Sequence, residues 1–147
     1  FAVEIDQDNF DNLIKNVDSV IFEELGINIT KDILKNFKST DSLRLDLQTD
    51  FDFIVGNPPY TPVKFLPKKS REFIVENFKF DQDIYMTFYE KSTQQIKKDG
   101  VIAFITPTDM FENKSFIDSL NIIDREDLEG NVFTAEILTS LVLVKGI

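Results

Sequence analysis

Asn57-Pro58-Pro59-Tyr60 brings an amide oxygen, free backbone carbonyls and an aromatic ring together within four residues, directly after the apolar run Phe51-Asp52-Phe53-Ile54-Val55. Proline lacks the N–H that a β-ladder needs. A strand meeting two prolines therefore stops, and the carbonyls of Asn57 and Pro58 point beyond its end. Acceptors of this kind beside a ring suit a flat heterocycle carrying an amino group. The same residues also make a rigid surface turn, so their meaning depends on what the rest of the chain supplies.

In open α/β sheets ligands sit outside the carboxyl ends of the strands. Glu4 and Asp6 end a first strand, Asp41 ends a second, the Pro-Pro turn ends a third, and Thr106-Pro107 ends a fourth. An acid at such a position takes the ribose hydroxyls of a nucleoside cofactor, although a carboxylate at a chain end is more often merely solvated. Lys64, Lys68, Lys69 and Arg71 fall within eight residues after the turn. Taken alone they read as a solvated loop. Their position beside the turn is what raises their interest.

Composition narrows the chemistry. The chain has no Cys and no His, which excludes disulfides, thiolate metal sites and Ser-His-Asp or Cys-His catalysis. No metal site is expected. A net charge of −10 argues against non-specific binding to nucleic acid by the chain as a whole, since phosphates call for a basic surface. No apolar run approaches the roughly 20 residues of a membrane span, and nothing resembles a signal peptide, so a cytoplasmic protein is expected. With 147 residues, 42% of them hydrophobic and 15 of them Phe, one sizeable core and one domain over residues 1–147 are expected. The start at Phe1, directly in a strand-like segment, reads as a piece of a longer chain.

The elements that must position these residues alternate. A strand at Phe1 to Ile5 precedes a helix from about Asp8 to Leu25, striped by Phe10, Leu13, Ile14, Val17 and Ile21 and closed by Gly26. A short helix near 31–36 and a strand from Asn36 to Ser39 lead to Asp41. The near-continuous apolar run Phe51 to Val55 predicts a central parallel strand covered on both faces. Ser70 is expected to cap a helix through Phe78, and Asp81 a longer one through about Lys98, with Tyr85, Phe88, Tyr89 and Ile96 on one face and Lys97 and Lys98 at its negative end. Val101 to Ile105, Asn121 to Ile123 and Ile137 to Val144 read as strands, with a short helix at Asn113 to Leu120. The order βαββαβαββ predicts an α/β sheet, mostly parallel with an antiparallel last strand and helices on both faces.

The blocks Asp41-Ser42-Leu43, Asn57 sixteen residues later, Asp83-Ile84-Tyr85-Met86-Thr87-Phe88 and Gly100-Val101-Ile102-Ala103-Phe104-Ile105-Thr106-Pro107 together resemble the gamma group of adenine-N6 DNA methyltransferases. The closest in style are modification enzymes of type II restriction-modification systems, some fused to a nuclease. The resemblance implies a partial Rossmann-like class I methyltransferase fold, S-adenosylmethionine as cofactor and double-stranded DNA as partner. It further implies that Glu4 holds the cofactor ribose, that Ile5 covers one face of its adenine, and that Asp41 and the Ser42 amide meet its adenine edge. Asn57, Pro58, Pro59 and Tyr60 become the catalytic motif, with Asn57 also touching the cofactor; Phe88 lies on the helix lining the cofactor side, and Lys64, Lys68, Lys69 and Arg71 become candidates for contact with the DNA backbone. Tyr60 and Phe133, which precedes the last strand, become the two faces of a clamp on the target base. From spacing alone, Phe88 and Phe133 are equally well explained as core.

The residue types agree with that chemistry. The exocyclic amino group of adenine is a poor nucleophile, its lone pair being delocalised into the ring. The Asn57 side-chain oxygen and the Pro58 carbonyl can both accept from it, which stabilises the positive charge that grows on nitrogen as a methyl arrives. A sulfonium donor is already activated, so no histidine is needed. A base inside a duplex must be flipped out to reach such a site.

The chain departs from the resemblance in one large respect: no Gly-x-Gly loop for the methionine part of the cofactor occurs in it. The expectation is therefore a fragment lacking that motif and the target-recognition domain, inactive alone, that either closes the gap of a missing strand or exposes sheet edges. Protein-glutamine methyltransferases also carry Asn-Pro-Pro-Tyr and are the alternative, as is an inert methyltransferase-like scaffold.

Overall fold

The computed structural model describes residues 1–47, 50–128 and 139–146. They form two compact units, Phe1–Asp46 and Leu47–Ile147.

The first unit is a parallel strand pair joined by a helical crossover. Strand β1 (Ala2–Glu4) lies beside β2 (Phe37–Ser39), with Glu4 opposite Ser39. Helix α1 (Gln7–Leu25) starts where the Asp6 side chain accepts from the Asn9 N–H at 2.9 Å. It ends at Gly26, whose φ of +69° is the left-handed conformation that lets its N–H reach the Phe22 carbonyl at 2.9 Å. The stripe Phe10, Leu13, Ile14, Val17 and Ile21 is half-buried throughout. Asp18 ties the next segment back by accepting from the Ile29 N–H at 2.6 Å. Thr30 then caps the short α2 (Lys31–Leu34).

In the second unit four strands take the order β3-β4-β6-β5: β3 Phe51–Gly56, β4 Ile96–Pro107, β5 Ile122–Leu128 and β6 Thr139–Lys145. Strands β3 and β4 are parallel, and β6 runs antiparallel to both its neighbours, as the order of elements predicts. Alternation along β4 buries Ile102, Phe104 and Thr106, and along β6 Ser140, Val142 and Val144. Helix α4 (Ile84–Thr93) covers this face with Tyr85, Met86 and Tyr89. Phe116 of α5 (Lys114–Ile117) meets Phe80, Tyr89 and Tyr85 edge-on, at centroid distances of 5.1, 5.8 and 6.4 Å. Each such burial stabilises by about 1.5–3 kcal/mol. Among the described residues no helix is long and apolar enough to cross a membrane.

Five expectations are corrected. Strand β3 is an edge strand rather than a central one, with Phe53 72% and Val55 76% exposed. Its apolar run reflects a face left open, and of the two outcomes expected for a chain without a Gly-x-Gly loop, a closed gap or an exposed edge, β3 shows the second within its sheet. Helix α4 stops at Thr93, so Lys97 and Lys98 are strand residues. The Phe51 N–H pairs with the Gln95 carbonyl at 2.8 Å, drawing the chain into the sheet, and Lys97 instead bonds Asp52 at 2.7 Å. Gly100 is needed there, because a Cβ would stand 2.8 Å from the Phe51 carbonyl oxygen. Helix α3 (Lys68–Asn77) begins after Pro67, with Ser70 inside it, and Asp83 rather than Asp81 precedes α4. Strand β5 runs on to Leu128 because an edge strand tolerates the polar stretch Asp124-Arg125-Glu126.

Candidate active site

Strand β3 delivers Asn57 to its carboxyl end, exposed, with Pro58 buried behind it and Tyr60 half-buried. The Tyr60 hydroxyl donates to the Asn57 side-chain oxygen at 2.6 Å and lies 3.2 Å from the Ile105 carbonyl on the neighbouring strand. The Tyr60 O–H has one proton, the Asn57 oxygen is its shorter acceptor, and the bond uses one of that oxygen's two lone pairs. The other remains for a substrate N–H. Burial raises the Tyr60 hydroxyl pKa, so it stays a neutral donor at ordinary pH. The turn beyond is fastened to the segment before α4: the Ile84 N–H reaches the Thr61 carbonyl at 3.1 Å and the Val63 N–H the Gln82 carbonyl at 2.9 Å.

Asp83, which follows Gln82, has its carboxyl pKa raised, first by burial and then by the Asp109 carboxylate, with Lys64 acting in the opposite sense. Spacing gave no hint of this pair. Nor could it show that Ile105 contributes a carbonyl to Tyr60, since every residue carries one. Thr106, expected at the strand end, is fully buried, its hydroxyl on the Met110 sulfur at 2.9 Å. Phe88 is half-buried and packs against the core cluster.

The first unit holds the other predicted acids. One Glu4 oxygen accepts from the Asp6 N–H at 2.9 Å, and the second has no hydrogen bond among the described residues, which leaves it suited to a ribose hydroxyl. Ile5 is exposed. Asp41 is committed on both oxygens: one accepts from the Leu43 N–H at 3.0 Å and the other pairs with Arg44 at 3.1 Å. This is the geometry of a turn aspartate, although each oxygen keeps a second lone pair. Ser42 is half-buried within that turn. Phe133 lies outside the described residues.

Lys64, Lys68, Lys69 and Arg71 cluster on the turn and first helical residues after the motif, all exposed. The Lys64 ammonium stands 5.0 Å from the Phe65 ring centroid, Lys68 pairs loosely with Glu72 at 3.6 Å, and Arg71 donates to the Lys64 carbonyl at 3.2 Å.

Residues 2–133 match the family described as Eco57I restriction-modification methylase. The type II methyltransferase M.XhoI of Xanthomonas vasicola is 28% identical over 115 residues, covering 67% of this chain and 21% of its own length. The modification methylase CviBIII of Paramecium bursaria Chlorella virus NC1A is 34% identical over 96 residues, covering 65% of this chain and 22% of its own. The chain thus spans about a fifth of these relatives. Among solved structures, a class I S-adenosylmethionine-dependent methyltransferase from Listeria monocytogenes superposes over 99% of this chain and 53% of its own, with a TM-score of 0.65 at 14% identity. That likeness establishes the class I methyltransferase fold, and the match over residues 2–133 places the chain in the Eco57I restriction-modification methylase family.

Proposed function

We propose that residues 1–147 are part of the catalytic domain of a site-specific DNA methyltransferase that transfers a methyl group from S-adenosylmethionine to the N6 amino group of a flipped-out adenine in duplex DNA, as the modification activity of a restriction-modification system. The observation that carries this reading is the 2.6 Å bond from Tyr60 to Asn57, which presents a fixed carbonyl-type oxygen at the strand end. The Pro58 carbonyl supplies a second acceptor. Together they would receive both amino hydrogens and favour the positive charge on the nitrogen in the transition state, where one such fixed dipole typically contributes a factor of roughly 10²–10³ in rate. The Tyr60 ring offers a stacking face for the extracted base, worth about 1–3 kcal/mol. Phe133 is the proposed partner on its other face.

The cofactor would bring an activated methyl on a sulfonium sulfur. Glu4 fits it well through its unengaged oxygen, and Ile5 and Phe88 supply apolar surface. Asp41 and Ser42 fit an adenine edge less simply, because the Arg44 pair must share the Asp41 carboxylate. With no Gly-x-Gly loop in residues 1–147, this stretch alone is expected to bind S-adenosylmethionine weakly and to be inactive, and tight binding by calorimetry would refute that. The substrate class is tested by incubating the full-length protein that carries these residues with labelled S-adenosylmethionine and either plasmid DNA or a glutamine-containing peptide. Label in N6-methyladenine of DNA supports the proposal, and label in the peptide refutes it.

A further inference from the structure

Phe65 is 72% exposed, yet its backbone is held stiffly. The 3-10 turn Val63–Phe65 lies between Pro62 and Pro67, whose φ values are −59° and −53°. Val63 is buried, and its N–H is bonded to the Gln82 carbonyl at 2.9 Å. The Phe65 N–H reaches the Pro62 carbonyl at 3.0 Å, and Arg71 clasps the Lys64 carbonyl at 3.2 Å. A lone exposed apolar side chain is ordinary. One mounted on a braced turn, with the Lys64 ammonium 5.0 Å from its ring centroid, is a preorganised contact.

The charge pattern selects its partner. Residues 63–76 hold four cations (Lys64, Lys68, Lys69 and Arg71) against two carboxylates (Glu72 and Glu76), in a chain whose net charge is −10. Such a positive island complements a polyanion. The Lys68–Glu72 pair is exposed on both sides, so exchanging it for a phosphate contact costs little. Phe65 lies five residues beyond Tyr60, at most about 17 Å along the chain. That keeps it within about five base steps of a base stacked on Tyr60.

Resting on the function proposed above, we infer that Lys64, Phe65, Lys68 and Arg71 form a DNA-contacting ridge. In it Phe65 wedges into the base stack beside the extracted adenine, and the cations hold the adjoining phosphates. Apolar wedges of this kind unstack a base step at a cost that the added contacts offset.

The test uses the full-length protein with plasmid DNA offered as duplex and, after heat denaturation, as single strands. Phe65→Ala is expected to lower methyl incorporation about tenfold on duplex and less than about twofold on single strands, where the base is already unstacked. Equal loss on both forms, or no loss on duplex, overturns the wedge. Lys64→Gln, Lys68→Gln and Arg71→Gln are each expected to reduce the salt slope of binding to a fluorescein-labelled 30-base-pair duplex by about one; unchanged slopes overturn the phosphate contacts. If the unaltered protein methylates neither form, the functional reading fails, and the same duplex-binding series then decides the ridge by itself. A lowered thermal midpoint for Phe65→Ala with unaltered DNA binding assigns the ring to protein packing and refutes the proposal.

Discussion

The two units differ in how their structure is held. In Leu47–Ile147, Tyr89, Phe116, Ile102, Met110 and Val142 are fully enclosed between the sheet and α4. In Phe1–Asp46 the buried apolar side chain is Leu43, and no residue of α1 is buried. The second unit is specified by packing. The first is specified by end signals: the Asp6 and Thr30 caps, Gly26 and the Asp18 clasp. The proposed methyl-acceptor motif therefore stands on the stiffer frame, whereas Glu4 and Asp41 stand on one pinned by individual hydrogen bonds.

Truncation should expose this contrast most strongly. Phe116→Ala is expected to destabilise the second unit by about 3–5 kcal/mol, having removed a fully buried ring. Val17→Ala on the half-buried α1 stripe should cost under about 1.5 kcal/mol. Urea denaturation of the two variants gives the comparison, and similar losses would erase the distinction. Glycine substitutions should sharpen it. Gly100→Ala must displace backbone oxygens within 3 Å of the new carbon, at a cost of about 1–3 kcal/mol. Gly26→Ala meets nothing within 4 Å and bears only the left-handed backbone penalty of about 1–2 kcal/mol.

Much of this contrast is legible in the chain. The Gly26 cap of α1, the antiparallel last strand and the residues of the Pro-Pro turn follow from local chemistry that spacing reveals, whereas Asp6 reads as a strand-end acid and not as the cap it forms. Strand β3 and the end of α4 do not. An apolar run such as Phe51 to Val55 looks the same whether its faces are covered or open. The stop at Thr93 depends on Gln95 finding Phe51, a partner more than forty residues away in the sequence. At the site, the residue types of the Asn57 motif are readable in the chain, while the bond joining Tyr60 to Asn57 and the double engagement of Asp41 arise only in the folded geometry.

Two smaller effects probe electrostatics in each unit. Burial and Asp109 raise the Asp83 carboxyl pKa above its ordinary 3.8, so the folded state binds that proton more tightly than the unfolded one. The folded state consequently loses stability as pH rises through the window above 3.8. Asp83→Asn should therefore raise the thermal midpoint at pH 7 and make no difference well below 3.8; a lower midpoint at pH 7 would contradict this. In the first unit, Arg44→Gln breaks a partly exposed pair with Asp41. It should change stability by less than about 1 kcal/mol, while leaving Asp41 freer to accept from a ligand.

Asn57 is proposed to act on the methyl acceptor rather than on the fold or on cofactor affinity. It is tested most directly by Asn57→Ala in the full-length protein, scored in parallel for N6-methyladenine formed in duplex DNA and for S-adenosylmethionine affinity. The account predicts that methylation falls by at least about 10²-fold with cofactor affinity within about twofold of the unaltered protein. Methylation retained at a substantial fraction of the original rate would contradict it.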